Sequence, residues 1–279
     1  MIDRDMSQAQ VLERQTPFID RAELWSGASD ATKPSVGGFI GERLWNTLEA
    51  TVITSPPESG RAPRAVLSIP WYEGDSRQAC ALLSHTAGQG TIEVWHVDPD
   101  HEELRLSSGY FGKWEDFRRL TALTRFTVGA GLPGRVWQSE CPVLLEDLGE
   151  SKAFLRADAA QSLGLQCGLG LPVRYASGLG VVVLLSSRSS PVGRSLDLWQ
   201  LTESAEIDHL QGLTFDTSAR EHACSLSVAQ ELAKEAASQF RPAVLSPDLA
   251  SRKAPFLRFG FAWPSRTKHG TIHIATVVG

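Results

Sequence analysis

Residues Gly129 to Leu148 read GAGLPGRVWQSECPVLLEDL. Three glycines and a proline stand in its first six positions, R-V-W follows, and an apolar run closes beside two acids. A glycine cluster ahead of a helix either cradles phosphate or turns the chain. A phosphate loop needs a preceding strand in a βαβ unit and a lysine or helix N-terminus aimed at the anion. This stretch has no lysine in its loop and leads into a short helix and strand in an antiparallel context. It reads as the turn that enters a helix.

Working outward, Gln166 to Ser187 (QCGLGLPVRYASGLGVVVLLSS) is a strand, a Gly/Ser turn and a second strand. The second strand is apolar on both faces and is expected at the centre of its sheet. Arg64 to His85 repeats the pattern without a gap, so that Leu67, Pro70, Leu82, Leu83 and Ser84 fall on Leu169, Pro172, Leu184, Leu185 and Ser186. Phe256 to Gly279 is a third version. An acid–apolar–Trp triplet precedes each: Glu23-Leu24-Trp25, Glu93-Val94-Trp95 and Asp197-Leu198-Trp199. VGGFIGERLW (Val36 to Trp45) resembles VGAGLPGRVW (Val128 to Trp137), and RPAVLSPDL (Arg241 to Leu249) resembles CPVLLEDL (Cys141 to Leu148). Internal repeats take precedence over residue-level reading. The chain is therefore expected to be an N-terminal tail (1–20) and three tandem α+β units, 21–87, 88–190 and 191–279, the middle one intact and the outer two degenerate.

Within the middle unit, Thr91 to Val97 and Glu103 to Phe111 alternate as strands around the turn DPDH. Lys113 to Leu120 has helical spacing, and Ala153 to Leu163 reads as a helix ending at Gly164. The longest helix is expected over Ser218 to Phe240. Ser55 to Pro63 reads as a loop and Met1 to Gln15 as a mobile tail.

The middle unit resembles a GAF domain. The resemblance rests on IEVWHVDPDHEELRLSSGYFG, VGAGLPGRVWQSECPVLLEDL, FLRADAAQSLGLQCGLGLPV and GVVVLLSS, and covers about a third of the chain. It implies an α+β, profilin-like fold with a central antiparallel sheet flanked by helices, and a cavity between sheet and helices. It also implies small-molecule sensing or dimerisation in the service of an attached output domain. No kinase, cyclase or helix-turn-helix pattern occurs in these residues, so no output domain is expected. The N-K-x-F-x-D-E signature of the cyclic-nucleotide branch is missing, as is the Cys-His pair of bilin carriers.

Composition narrows the function further. The 279 residues are 42% hydrophobic and 21% charged with a net charge of −5, which suits a soluble protein and disfavours nucleic acid or an anionic membrane surface. No apolar run is long enough to span a bilayer, and the polar N-terminus carries no signal core, so a cytoplasmic protein is expected. Cys80, Cys141, Cys167 and Cys224 form no C-x-x-C and read as free thiols. One GAF branch reduces methionine sulfoxide with paired cysteines; Cys141 and Cys167 could meet across the sheet, but their surroundings do not match it. His96 and His101 lack metal-ligand spacing, and no metal is assigned. Glu146 and Asp147 are adjacent on a strand and point apart, so Asp147 is read as a turn cap. The tryptophans Trp25, Trp95 and Trp199 recur in every unit and are read as structural.

The expectation is a non-enzymatic sensor or signalling protein binding a small molecule or a partner protein, with homodimerisation open and the ligand or cofactor unidentified. The candidate pocket walls are Trp95, Tyr110, Phe117, Phe154, Arg156 and Leu169. The alternatives are an interaction scaffold without a ligand and a thiol-dependent reductase.

Overall fold

The computed structural model describes residues 17–26, 47–54, 65–73, 76–84, 89–98, 100–150, 154–175 and 178–279. The expected N-terminal tail at Met1 to Gln15, the VGGFIGERLW segment and the loop at Ser55 to Pro63 lie outside them.

The described residues form three antiparallel sheets, each from one contiguous part of the chain. The first has the order β1-β4-β3-β2, from Ile19–Trp25, Ser76–Ser84, Ala65–Glu73 and Thr51–Thr54. The second has the order β6-β5-β9-β8-β7, from Glu103–Tyr110, Gly90–Asp98, Gly178–Ser186, Cys167–Tyr175 and Val143–Leu145. The third has the order β11-β10-β14-β13-β12, from Ile207–Thr214, Ser195–Leu201, Ile272–Val278, Gly260–Arg266 and Ala243–Val244. The doubly apolar strand β9 is central, as its sequence requires.

One ladder recurs in all three sheets. Trp25 pairs with Ala79, which pairs with Pro70. Trp95, Val181 and Pro172 repeat it, and so do Trp199, Ile274 and Pro264. The prolines lie two residues past Ser68, Gly170 and Ala262, where the short edge strands β2, β7 and β12 stop pairing. A proline donates no N–H, so it fits a strand only where no outer neighbour needs one.

Because side chains alternate along a strand, each sheet has an inward and an outward face. The inward faces share one core, to which the sheets contribute Leu67 and Ile69, Leu169 and Leu171, and Phe261 and Trp263. The sheets follow one another around it. The amide of Val52 in β2 donates to Ser108 Oγ in β6 at 3.1 Å, linking first to second. Gln211 Nε2 in β11 donates to Glu146 Oε1, just past β7, at 3.1 Å, linking second to third. Strand β12 then lies against β1. Each full burial of a Leu, Ile or Phe here contributes about 1.5–3 kcal/mol, so the common core is a major stabilising element.

Helices cover the outward faces of the second and third sheets. Over the second lie α1 (Glu115–Leu123), α2 (Gly131–Ser139) and α3 (Ala157–Ser162). Over the third lie α4 (Ala219–Gln239) and α5 (Pro247–Lys253). Ser218 caps α4 by accepting from the Glu221 amide at 3.2 Å, and Phe240 ends it in a left-handed conformation. Helix α3 is shorter than the expected Ala153 to Leu163, because Phe154 and Arg156 turn inward before it begins. Its expected stop holds, with Gly164 at φ 71°.

The glycines of GAGLPG enter α2 as a turn and a close contact. Gly131 sits at φ 60°, a left-handed conformation that side chains disfavour. A Cβ on Gly134 would lie 2.2 Å from the Thr127 carbonyl oxygen, so only glycine lets the first turn of α2 press against the chain before it. With Gly131, Leu132, Pro133 and Gly134 all buried, that turn is packed into the protein.

Candidate functional site

The space between the second sheet and its helices holds a buried ion pair. Strand β5 places Glu93 and Trp95 on the outward face, two residues apart. The segment entering α3 brings Arg156 against them. Arg156 Nη1 donates to Glu93 Oε1 at 2.8 Å and Nη2 to Glu93 Oε2 at 2.9 Å, a bidentate fork. Nη1 also donates to Thr121 Oγ1 of α1 at 2.6 Å. Glu93 is 0% and Arg156 4% exposed, so neither charge is satisfied by solvent. Trp95 Nε1 donates to Glu93 Oε2 at 3.0 Å, and Thr91 Oγ1 to Oε1 at 3.4 Å.

Four rings surround the guanidinium: Phe117 at 5.0 Å, Phe154 at 5.1 Å, Trp95 at 5.6 Å and Phe126 at 5.7 Å from its carbon. At these distances ring faces stabilise a cation. Two buried charges cost several kcal/mol each to desolvate, at order of magnitude, and good geometry with further hydrogen bonds is what offsets that. Here both carboxylate oxygens accept two donors each. The arrangement joins sheet, α1 and the α3 segment through one hydrogen-bonded centre. It offers no carboxylate free to act as a base, because both oxygens are engaged.

Of the six pocket residues expected from sequence, Trp95, Phe117, Phe154 and Arg156 gather here. Tyr110 and Leu169 do not. Tyr110 pairs with Ile92 and Leu169 with Leu184, both inward positions, and both residues belong to the core shared by the sheets. They do not share a cavity with the other four, because the sheet stands between. Sequence reasoning passed over Glu93, Thr121 and Phe126. Glu93 was visible in the E-V-W triplet, as an acid on a strand face that buries its neighbours. The reach of Arg156 across 63 positions left no local trace.

The thiols are poorly disposed for redox chemistry. Burial pushes Cys80 up to about 12 and Cys167 up to about 11, and it also raises Cys141. A nucleophilic cysteine needs the reverse. The β7–β8 register, with Val143 opposite Gly170 and Leu145 opposite Gly168, runs Cys141 and Cys167 to opposite ends of the pairing. At roughly 3.4 Å per strand residue, that spacing far exceeds disulfide reach. The approach of these two cysteines across the sheet, which the sequence left open but disfavoured, does not occur. Asp147 Oδ1 accepts from the amides of Gly149 at 3.0 Å and Glu150 at 3.3 Å, the turn-capping role expected of it.

No family model matches the chain. A Nif-specific regulatory protein of Herbaspirillum seropedicae is 33% identical over 105 residues, 35% of this chain and 18% of that protein. The match thus spans less than a fifth of that relative. Among solved structures, the chain is similar to the GAF domain of A. aeolicus nlh2 (16% identity, 36% of this chain and 58% of that one, TM-score 0.28). It is also similar to a free methionine-R-sulfoxide reductase from Neisseria meningitidis (17% identity, 38% and 55%, TM-score 0.29). A third is a mutated NreA protein from Staphylococcus aureus (16% identity, 38% and 80%, TM-score 0.31). With a central hairpin β8–β9 flanked by β5–β6 and β7, a glycine-entered α2 running into β7, and helices over one face, the middle third of the chain has an antiparallel α+β arrangement similar to that of GAF domains.

Proposed function

We propose that the chain is a sensory or regulatory protein of GAF type that acts by binding a small molecule or a protein partner and not by catalysis. It is built as three tandem units, the first reaching to 87 and starting not at 21 but with buried Phe18 and strand β1 from Ile19, followed by 88–190 and 191–279, and works in the cytoplasm, where its cysteines stay unpaired. The shared Trp–X–Pro ladder supports the threefold division.

The observation that carries the non-catalytic reading is the Arg156–Glu93 centre. It occupies the ground between sheet and helices where the family's ligands sit, and both Glu93 oxygens and both Arg156 Nη atoms are engaged in holding the fold. A ligand entering there must be an anion able to take Arg156 from Glu93. Thermal-shift titration with cyclic nucleotides, haem, small inorganic anions and a metabolite extract tests the sensing role; a rise in Tm is expected for at least one class, and no shift with any of them overturns it. A thiol reagent at mildly alkaline pH tests the rest. Cys141 and Cys167 are expected to react slowly in the folded protein, and fast reaction of either would overturn the non-enzymatic reading.

A scaffold reading is favoured by one feature. Leu123, Leu155, Val128 and Leu120 are 79%, 59%, 53% and 43% exposed on the segments covering the middle unit. Exposed apolar groups of this kind suit a protein interface. Leu123→Asp is expected to abolish any self-association seen by sedimentation; unchanged association places the contact elsewhere.

A further inference from the structure

The shared core is not closed equally at its two ends. Along β3, β8 and β13, the ladder alignment makes Ile69, Leu171 and Trp263 equivalent, and after them Trp71, Val173 and Ser265. That inward layer holds one very large, one medium and one small side chain, and beyond it β8 adds the half-buried ring of Tyr175. Such a set cannot fill a threefold space evenly. A cleft of about 630 Å³ opens there, between the sheets and the C-terminal end of α4.

Its walls are aromatic. The Trp71 and Trp263 rings meet edge to face at 5.4 Å, and Phe240 meets Trp71 at 5.5 Å. Trp263 is held by its own indole N–H, which donates to the Pro172 carbonyl at 2.9 Å. The cleft also carries two arginines. Arg174 pairs with Glu140 and donates to the Arg266 carbonyl at 3.1 Å. Arg266 is exposed, lies 4.4 Å over the Phe240 ring, and pairs with no carboxylate among the described residues. The lining thus has a cationic excess in a chain of net charge −5.

We propose that this cleft, where the three sheets meet, is a binding site for a planar aromatic carboxylate. The ring would slot beside Trp71 and Phe240, and the carboxylate would take the fork of Arg266. Ligand pockets with apolar walls and a few convergent polar groups are common at unit junctions, and guanidinium matches carboxylate bidentately. The site draws on first, second and third sheets together, so its occupation would couple their relative positions. The proposal rests on the sensory reading above and gives it a place and a ligand class.

Titration of the full chain with 2-naphthoate, read by tryptophan fluorescence and calorimetry, tests it. Binding is expected, with affinity falling by about tenfold in Trp71→Ala and again in Arg266→Gln, since a charge-assisted bond and a ring contact are each worth that much. Uncharged 2-naphthamide is expected to bind more weakly than the carboxylate in the native chain and equally in Arg266→Gln. Arg266 is exposed whereas Trp71 is half-buried against the shared core, so Arg266→Gln with an unchanged Tm carries the test even where Trp71→Ala lowers stability. No binding of 2-naphthoate at millimolar concentration overturns the proposal, as does binding that neither substitution weakens. In either case a positive thermal shift in the wider ligand survey would leave the sensory reading standing.

Discussion

Glu93 and Asp197 occupy the same position in two sheets, two residues before the ladder tryptophan and facing outward. Their surroundings differ. Glu93 is gripped by Arg156, and Trp95 donates its indole N–H to it. The first sheet repeats the last bond, with Trp25 Nε1 donating to Glu23 Oε2 at 3.1 Å. Asp197 is one methylene shorter, and the Trp199 indole turns instead to Thr276 Oγ1 at 2.9 Å on the next strand. Asp197 accepts from Ser195 Oγ at 2.6 Å and pairs with His209 Nε2 at 2.9 Å on β11. Among the described residues no arginine reaches it, because α4 packs on this sheet with small and apolar residues such as Ala229, Leu232, Ala233 and Ala236. A strand fixes where an acid stands; the elements laid over the strand decide whether that acid is neutralised by a buried cation or left to neighbouring dipoles.

The strongest way to break the comparison is Arg156→Met. It leaves Glu93 buried without a counter-charge and should cost about 3–5 kcal/mol in denaturant unfolding. Glu93→Leu with Arg156→Met should recover most of that loss, since apolar replacement of a whole buried pair is often neutral. Failure of the double variant to recover would mean that the pair does more than satisfy itself.

Substituting the tryptophans gives a smaller effect. Trp95→Phe removes a hydrogen bond to a buried carboxylate and should cost about 1.5–3 kcal/mol, whereas Trp199→Phe loses a bond to a neutral hydroxyl and should cost about 0.5–1.5 kcal/mol, before any common packing loss. Equal losses would remove the distinction between the two sheets.

The mildest change is Asp197→Asn. Burial pushes the Asp197 carboxyl above its ordinary value, opposed by Ser195, His209 and His222. A carboxyl raised in the folded state holds its proton where the unfolded chain has released it. Its contribution to stability is therefore lost as pH rises from about 4 through the folded value. Asp197→Asn should flatten the decline of stability across that window and change stability at neutral pH by less than about 1 kcal/mol. Urea midpoints measured across pH 4–7 would check this, and a slope unchanged from the native chain would refute it.

The two hairpins of the middle unit and the central place of β9 were legible because they rest on local pattern, whereas the pairing that sets Trp95 opposite Val181 was not. Alternation in Glu103 to Phe111, the doubly apolar GVVVLL and the turn glycines all act within a few residues. The helix boundaries at Ser218 and Gly164 were legible for the same reason, as caps are local chemistry. The candidate site was legible only in part. Trp95 and Arg156 could be singled out by type, but which face Tyr110 and Leu169 occupy depends on strand register and on what stands behind the sheet.

By itself the sequence determined the acid–apolar–Trp triplet and the hairpin that follows it, written three times. Period and spacing carry that information along the chain. Only the tertiary structure decided that Arg156 would meet Glu93 from 63 positions away, that Asp197 would meet a histidine instead, and that three unequal side chains would leave a cleft where the sheets converge. Those outcomes depend on long-range packing, where volumes and charges from distant segments must share one space, and no local pattern encodes the sum.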